Sequence, residues 1–71
     1  EAIEFSVGPH APVVDQTLRE LHFPKGAVVG TIIRGEQIIL PRGDDQIRPG
    51  DEVIVVALPH AIGAVEHLFS E

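Results

Sequence analysis

The sequence of 71 residues contains no cysteine, methionine, tryptophan or tyrosine, and its only aromatic residues are three phenylalanines. Without cysteine the chain has neither a disulfide nor a thiol nucleophile. Without tryptophan and tyrosine it lacks the usual stacking residues for bases and sugars. A chain of this size buries only about 60% of its surface on folding, so we expect further burial against another domain or a second copy.

Basic residues are also few, with five Lys and Arg against eleven Asp and Glu and a formal net charge of −6. This charge repels phosphate backbones and anionic lipids, so we predict no nucleic-acid partner. The longest uncharged run, residues 53–65, contains Pro59 and Gly63 and is too short for a membrane-spanning helix. The sequence begins at Glu1 without a signal-like apolar stretch, which predicts a fragment of a longer chain.

Alternation of apolar and polar residues predicts four strands. Ile3, Phe5 and Val7 share one face of the first strand, and the β-branched run 27–33 is the second. Gly35 lies in a tight turn before the third strand, 38–40, so these two strands should pair antiparallel. The nearly continuous apolar run 52–58 predicts a central strand buried on both faces.

Apolar residues spaced three or four apart predict two helices. The stripe of the first helix is formed by Val14, Leu18 and Leu21, with Asp15 near its positive end. The second helix follows Pro59, and its buried stripe is Ile62, Val65 and Phe69, widened by Ala61, Ala64 and Leu68. The predicted fold is therefore α+β: a small β-α-β-β-β-α domain with a mostly antiparallel sheet and helices packed on it.

Four histidines raise the possibility of a metal site. His60 and His67 would lie about 10 Å apart along a helix, too far to bind one ion, and we expect all four histidines to be exposed. A symmetric dimer remains a way to bring two copies of one histidine together. The sequence therefore predicts no metal site within one chain.

Catalytic patterns are equally sparse. The carboxylate pairs 44–45 and 51–52 suggest acid–base chemistry or a hard-cation site, but both lie in turn sequences, where aspartate bonds to nearby backbone. No nucleophilic triad can be assembled, and the seven glycines form no phosphate-binding loop. We predict that the chain is not an enzyme and has no catalytic residues.

The second predicted strand suggests a binding surface, because it is apolar on both faces. One face carries Val28, Gly30 and Ile32, and the other carries Val29, Thr31 and Ile33. If one face packs on the helices, the other is free for a second copy or a ligand. Arg34 ends this strand, either as a solvated hairpin residue or as an anion-binding cation.

Four segments in this order resemble the C-terminal domain of RCK potassium-conductance regulators, also called the TrkA-C domain. They are residues 28–35, 38–44, 47–55 and 62–69, and Thr17–Leu21 before Phe23-Pro24 resembles the family's first helix and turn. The resemblance covers essentially the whole chain. It implies a single RCK C-terminal (TrkA-C)-like domain over residues 1–71.

The resemblance implies a dimerising, non-enzymatic regulatory domain of a potassium or cation transport system. Such domains follow a nucleotide-binding Rossmann domain in cytosolic subunits, so NAD(H) or ATP would bind only to an N-terminal domain outside this sequence. It further implies a homodimer in the cytoplasm, peripheral to the inner membrane through a membrane transporter subunit. Two alternatives stay open: a cytosolic tail of a cation/proton antiporter, and a purely structural dimerisation domain without ligand.

Some members of this family bind a small ligand, such as cyclic di-AMP, in the cleft between two C-terminal domains. For this chain the resemblance implies cyclic di-AMP or another small anionic ligand as effector, and no cofactor held by the domain itself. The residues implied at the cleft are Ile32, Ile33 and Arg34.

Overall fold

The computed structural model of the protein describes residues 1–71 and contains four strands and two α-helices. In chain order these are β1 (Ala2–Ser6), α1 (Leu18–Leu21), β2 (Ala27–Arg34), β3 (Gln37–Ile39), β4 (Glu52–Ala57) and α2 (Ile62–Phe69). The strands form one sheet in the order β1-β4-β2-β3, and each neighbouring pair is antiparallel. The predicted α+β class and element order are confirmed.

The core lies on one face of this sheet. Val53 and Val55 of β4 are fully buried, and Phe5 and Ile3 of β1 stand opposite them. The ring of Phe69 in α2 stacks on Phe5 with a centroid distance of 4.3 Å. The helices therefore cover the face to which the alternating residues of β1 point, as the period of two predicts.

The other face of the sheet has no covering layer, and this corrects the prediction that β4 is buried on both faces. Val56 of β4 is 49% exposed, and Val28, directly opposite it on β2, is 59% exposed. We call this uncovered surface the open face. It carries the apolar residues Val28, Ile33, Ile38, Ile54 and Val56.

A β-bulge in β2 corrects the predicted faces of this strand. Val29 pairs with Val55 and Ile32 pairs with Val53, although strict alternation would put Val29 and Ile32 on opposite faces. The register shifts between Val29 and Thr31, around Gly30. The extra residue places both Val29 and Ile32 on the core face, so Val28 and Ile32 do not share a face.

The first predicted helix is wrong in its extent. Residues Pro12–Asp15 form a 3-10 turn, Gln16 is extended with φ −152° and ψ 162°, and α1 begins only at Leu18. Thr17 is the N-cap of α1, since its hydroxyl accepts a hydrogen bond from the Glu20 N–H at 3.2 Å. The apolar spacing that predicts one helix therefore spans two separate turns, and Asp15 is not at the start of α1.

The predicted turn before β3 is confirmed, since Gly35 adopts φ +62°.

In α2 the predicted buried residues Val65 and Phe69 are buried, but Ala64 faces solvent, which corrects its predicted place among the buried residues of this helix. A 3-10 turn, Pro59–Ala61, leads into α2. None of the helices has the length and apolar character needed to span a membrane.

Candidate functional site

A groove of about 350 Å³ opens where α1, the start of β2 and the segment after β3 meet. Its apolar wall and its polar rim come from these three parts of the chain, and the lining residues are Leu18, Arg19, Phe23, Ala27, Val28, Val29, Pro41, Arg42 and Gly43. A concave apolar surface with a few polar groups at its rim is the usual form of a small-molecule site. This groove is therefore the candidate ligand-binding site.

Backbone hydrogen bonds fix α1 against the segment that follows β3. The Leu18 N–H donates to the Asp45 carbonyl at 2.9 Å, and the Arg19 N–H donates to the Gly43 carbonyl at 3.0 Å. The side chain of Glu20 completes the capping box of α1, because it accepts bonds from the Thr17 N–H and hydroxyl, each at 3.0 Å. Main-chain hydrogen bonds thus join two of the three parts of the chain that line the groove.

Two arginines stand at the rim of the groove. Arg19 pairs with Asp44, with 2.7 Å between Nη1 and Oδ1, and both side chains are largely exposed. Arg42 is exposed, and its guanidinium makes no hydrogen bond within the chain. A guanidinium fork matches the oxygens of a phosphate, so a molecule that combines an apolar surface with phosphate groups suits this groove.

A third arginine has a different environment. Arg34 Nε and Nη2 donate to Asp51 Oδ1 and Oδ2, each at 2.9 Å, and Nη2 also donates to the Gln46 carbonyl. Asp51 is 1% exposed. Burial raises the pKa of Asp51, but hydrogen bonds from Arg34 and from the Arg48 N–H, together with both positive charges, outweigh it and leave that pKa below its usual value. The hydrogen bond to Asp51 raises the pKa of Arg34.

The three residues predicted at the ligand cleft are thus placed differently from one another. Ile32 is fully buried in the core, and Arg34 is committed to Asp51. Ile33 lies on the open face, opposite Ile38. None of the three lines the groove. Their contact with a ligand stays a prediction.

Sequence reasoning did not single out the rim residues Arg19 and Arg42. One signal in the sequence was available, because Thr17 followed three residues later by Glu20 is the pattern of a capping box and marks the start of a helix. Nothing in the sequence indicated that this helix meets the segment after β3. The two segments are distant in sequence and meet only in the folded chain.

The histidines and the turn aspartates were the other candidate residues in the sequence. All four histidines are exposed, and no three His, Asp or Glu side chains come together as metal ligands. The predicted turn role of the aspartates is confirmed at two places. Asp45 Oδ2 accepts a bond from the Arg42 N–H at 2.7 Å, and Asp51 Oδ2 accepts one from the Arg48 N–H at 2.9 Å.

Five large apolar side chains are exposed, and all of them except Val28 lie outside the groove. Ile38 is 72% and Leu40 is 75% exposed, and Val28, Val56 and Leu58 follow with 49–59%. A second groove, of about 410 Å³, lies between the starts of β1 and β2 and the end of β4, and its lining includes Val28, Val56 and Leu58. Val28 belongs to both grooves, so the candidate ligand site borders the open face.

Comparison with known proteins gives the family. The TrkA-C domain matches residues 2–70. The chain belongs to the TrkA-C family. A Trk system potassium uptake protein TrkA homolog 2 of Methanosarcina mazei is 41% identical over 97% of this chain, and a TrkA homolog of Archaeoglobus fulgidus is 37% identical over 80%. The chain spans 15% and 13% of the lengths of these two relatives.

Solved structures agree with this membership. A structure of an RCK domain with cda superposes with a TM-score of 0.73 at 28% identity, covering 94% of this chain and 96% of that one. An RCK_C domain dimer of S. agalactiae BusR in complex with c-di-AMP superposes with a TM-score of 0.80 over 96% of this chain and 88% of that one. The second, at 20% identity, supports the fold alone. The resemblance to TrkA-C is confirmed.

Proposed function

We propose that this TrkA-C domain is a dimerising, ligand-sensing regulatory module of a potassium uptake system. Membership of the TrkA-C family and the potassium uptake relatives support this role. The same relatives support a Trk-type subunit over an antiporter tail. In that setting the domain acts in the cytoplasm, associated with a membrane transporter subunit, and has no enzymatic activity of its own.

The observation that carries the ligand-sensing part is the groove with two arginines at its rim. We infer that cyclic di-AMP, or a similar small anion, binds with the flat faces of its bases against Leu18, Phe23 and Val28 and with its phosphates toward Arg19 and Arg42. The RCK domain solved with cda, at 28% identity, supports this choice of ligand. Apolar contact supplies affinity, and the guanidinium groups fix the position of the phosphates.

The open face is the proposed surface for a second copy. Its residues Val28, Ile38 and Val56 are exposed, and Val28 and Val56 line the second groove together with the exposed Leu58, which follows β4. A contiguous apolar surface of this kind marks an association site. A second copy seated on the open face would contact Val28, which is also a wall of the ligand groove. Ligand binding and dimerisation would then share a surface.

Calorimetry with cyclic di-AMP tests the ligand site. The wild-type chain should bind, and Arg19→Ala should weaken binding about 10- to 100-fold, the range expected for hydrogen bonds to a charged group. Arg34→Ala is the comparison, because it tests the earlier prediction of Arg34 as a ligand contact. A loss with Arg34→Ala at unchanged melting temperature, and none with Arg19→Ala, would move the ligand away from the groove.

A thermal-shift measurement separates ligand sensing from a purely structural role. A ligand that binds only the folded chain raises its melting temperature in proportion to the logarithm of concentration above the Kd. Cyclic di-AMP should therefore raise the melting temperature of the dialysed wild-type dimer. No shift at millimolar ligand would leave dimerisation as the domain's role.

A further inference from the structure

The ion pair between Arg19 and Asp44 differs from the other ion pair of the chain, since its side chains are 70% and 82% exposed. The pair between Arg34 and Asp51 is largely buried and joins two strand ends. An exposed pair contributes little to stability, because water and salt screen its charges. A structural role therefore does not account for the position of Asp44.

The contact between α1 and the segment after β3 does not depend on this ion pair. Main-chain bonds from the Leu18 and Arg19 N–H groups already join the two segments, and Thr17 and Gln46 form an isolated β-bridge beside them. Removal of the Asp44 carboxylate should therefore leave the backbone of the groove in place.

Gly43 brings the guanidinium of Arg19 close to the backbone. A Cβ on Gly43 would lie 2.7 Å from Arg19 Nη2, so the guanidinium occupies the space that a side chain at this position would fill. With Asp44 on Nη1, the group is held at the rim of the groove. A phosphate that reaches the groove meets an arginine whose charge is already paired.

We propose that Asp44 competes with an anionic ligand for Arg19 and thereby lowers the affinity of the groove. This inference rests on the proposed ligand site and goes beyond it, because it assigns a regulatory carboxylate to that site. To bind Arg19, the ligand must displace Asp44 and approach its negative charge. Asp44 thus selects for ligands whose phosphates compete with a carboxylate, and against weaker anions.

Calorimetry with cyclic di-AMP on Asp44→Asn tests the competition. The affinity should rise about three- to tenfold, from the loss of one nearby negative charge and of the competing ion pair. Added salt should reduce this gain, because it screens the charge that was removed. The melting temperature of Asp44→Asn without ligand should stay within about 2 °C of wild type, as for other exposed substitutions.

Two further variants isolate the role of Arg19. In the Arg19→Ala background, Asp44→Asn should give a smaller gain than in wild type, since only the repulsion of the ligand remains to be relieved. Glu66→Gln is the control for net charge, because Glu66 is exposed on α2 and does not line the groove. It should leave the affinity unchanged.

The outcomes distinguish the competition from the ligand site itself. Equal affinities of wild type and Asp44→Asn would overturn the competition and leave the ligand site standing. An equal gain with Glu66→Gln would also overturn it, since the effect would then be one of net charge. Binding by neither wild type nor Asp44→Asn would overturn both. Binding by Asp44→Asn alone would support the competition in its strongest form.

Discussion

Arg34 and Asp51 form a two-pronged ion pair that joins the end of β2 to the start of β4, with both donor–acceptor distances at 2.9 Å. Asp51 is the only buried charged residue, and its second oxygen also accepts a bond from the Arg48 N–H. The pair therefore fixes both the turn at residues 48–51 and the end of the hairpin strand. It gives a structural role to Arg34, for which the sequence suggested either a solvated hairpin position or anion binding, and adds an ion pair to the turn role predicted for Asp51.

Asp51→Asn should lower the free energy of unfolding by about 3 kcal/mol, because it leaves the partly buried Arg34 without its counter-charge. Urea denaturation measures the loss. Asp44→Asn is the matched control, since it removes the carboxylate of the exposed ion pair and should cost less than about 0.5 kcal/mol. Equal losses in the two variants would contradict the structural role of Asp51.

The same carboxylate should give the domain an acid-sensitive stability. The pKa of Asp51 is lower in the folded chain than in the unfolded chain, so its contribution is fully present above the unfolded value of about 3.9 and declines as pH falls through the folded value. Urea unfolding at several pH values should show the difference between wild type and Asp51→Asn shrinking below about pH 4. A difference that stays constant down to pH 2 would contradict this linkage.

Much of the fold was predictable from the sequence because the spacing of apolar residues indicates which segments are strands or helices and which face each one buries. The alternation of apolar and polar residues along β1 predicts that Phe5 faces the core. The spacing of Val65 and Phe69 predicts the face of α2 that packs against it, and the two phenylalanine rings do stack. The bulge was not predictable, since Gly30 in an apolar strand does not reveal whether the strand gains a residue there. The break before α1 was missed because the apolar spacing of Val14 and Leu18 suits one helix, and only the capping pattern at Thr17 marks a new start.

The candidate site was less predictable because its parts are distant in sequence. Arg19 and Gly43 lie on either side of the β2–β3 hairpin in the sequence and meet through a main-chain hydrogen bond. Arg34 and Asp51 are 17 positions apart, and nothing local indicates that these charges pair. The resemblance to TrkA-C predicted the family, which is confirmed, whereas the positions of the side chains required the three-dimensional arrangement.

Thr17→Ala should lower the free energy of unfolding by about 1 kcal/mol, the usual effect of losing a helix N-cap. The Thr17 N–H and hydroxyl also lower the pKa of Glu20, so the Glu20 carboxyl should titrate closer to its ordinary value in Thr17→Ala. Urea denaturation and NMR titration of Glu20 check the two effects. Thr17→Ser is the control, since it keeps the hydroxyl and should retain both.

Val55→Asp should prevent folding, because Val55 is fully buried at the centre of the sheet and an unpaired carboxylate there has no partner. His67→Ala should change the free energy of unfolding by less than about 0.5 kcal/mol, because His67 is an exposed residue of α2. Circular dichroism melts of both variants measure the contrast. Metal-dependent melting that His67→Ala abolishes would contradict the expectation that this histidine has no metal role.

Val56→Lys should convert the proposed dimer into a monomer, because it places a charge on the open face, directly opposite Val28. Sedimentation should show a dimer for wild type and a monomer for Val56→Lys. The wild-type melting temperature should also rise with protein concentration, and that of the variant should not. Ala64→Lys is the matched control, since it adds the same charge at an exposed position of α2 and should remain dimeric.

If Val56→Lys dimerises as well as wild type, the two copies meet through another surface. If wild type stays monomeric at high micromolar concentration and unfolds cooperatively, the domain does not need a second copy to fold, and the proposed dimer is wrong.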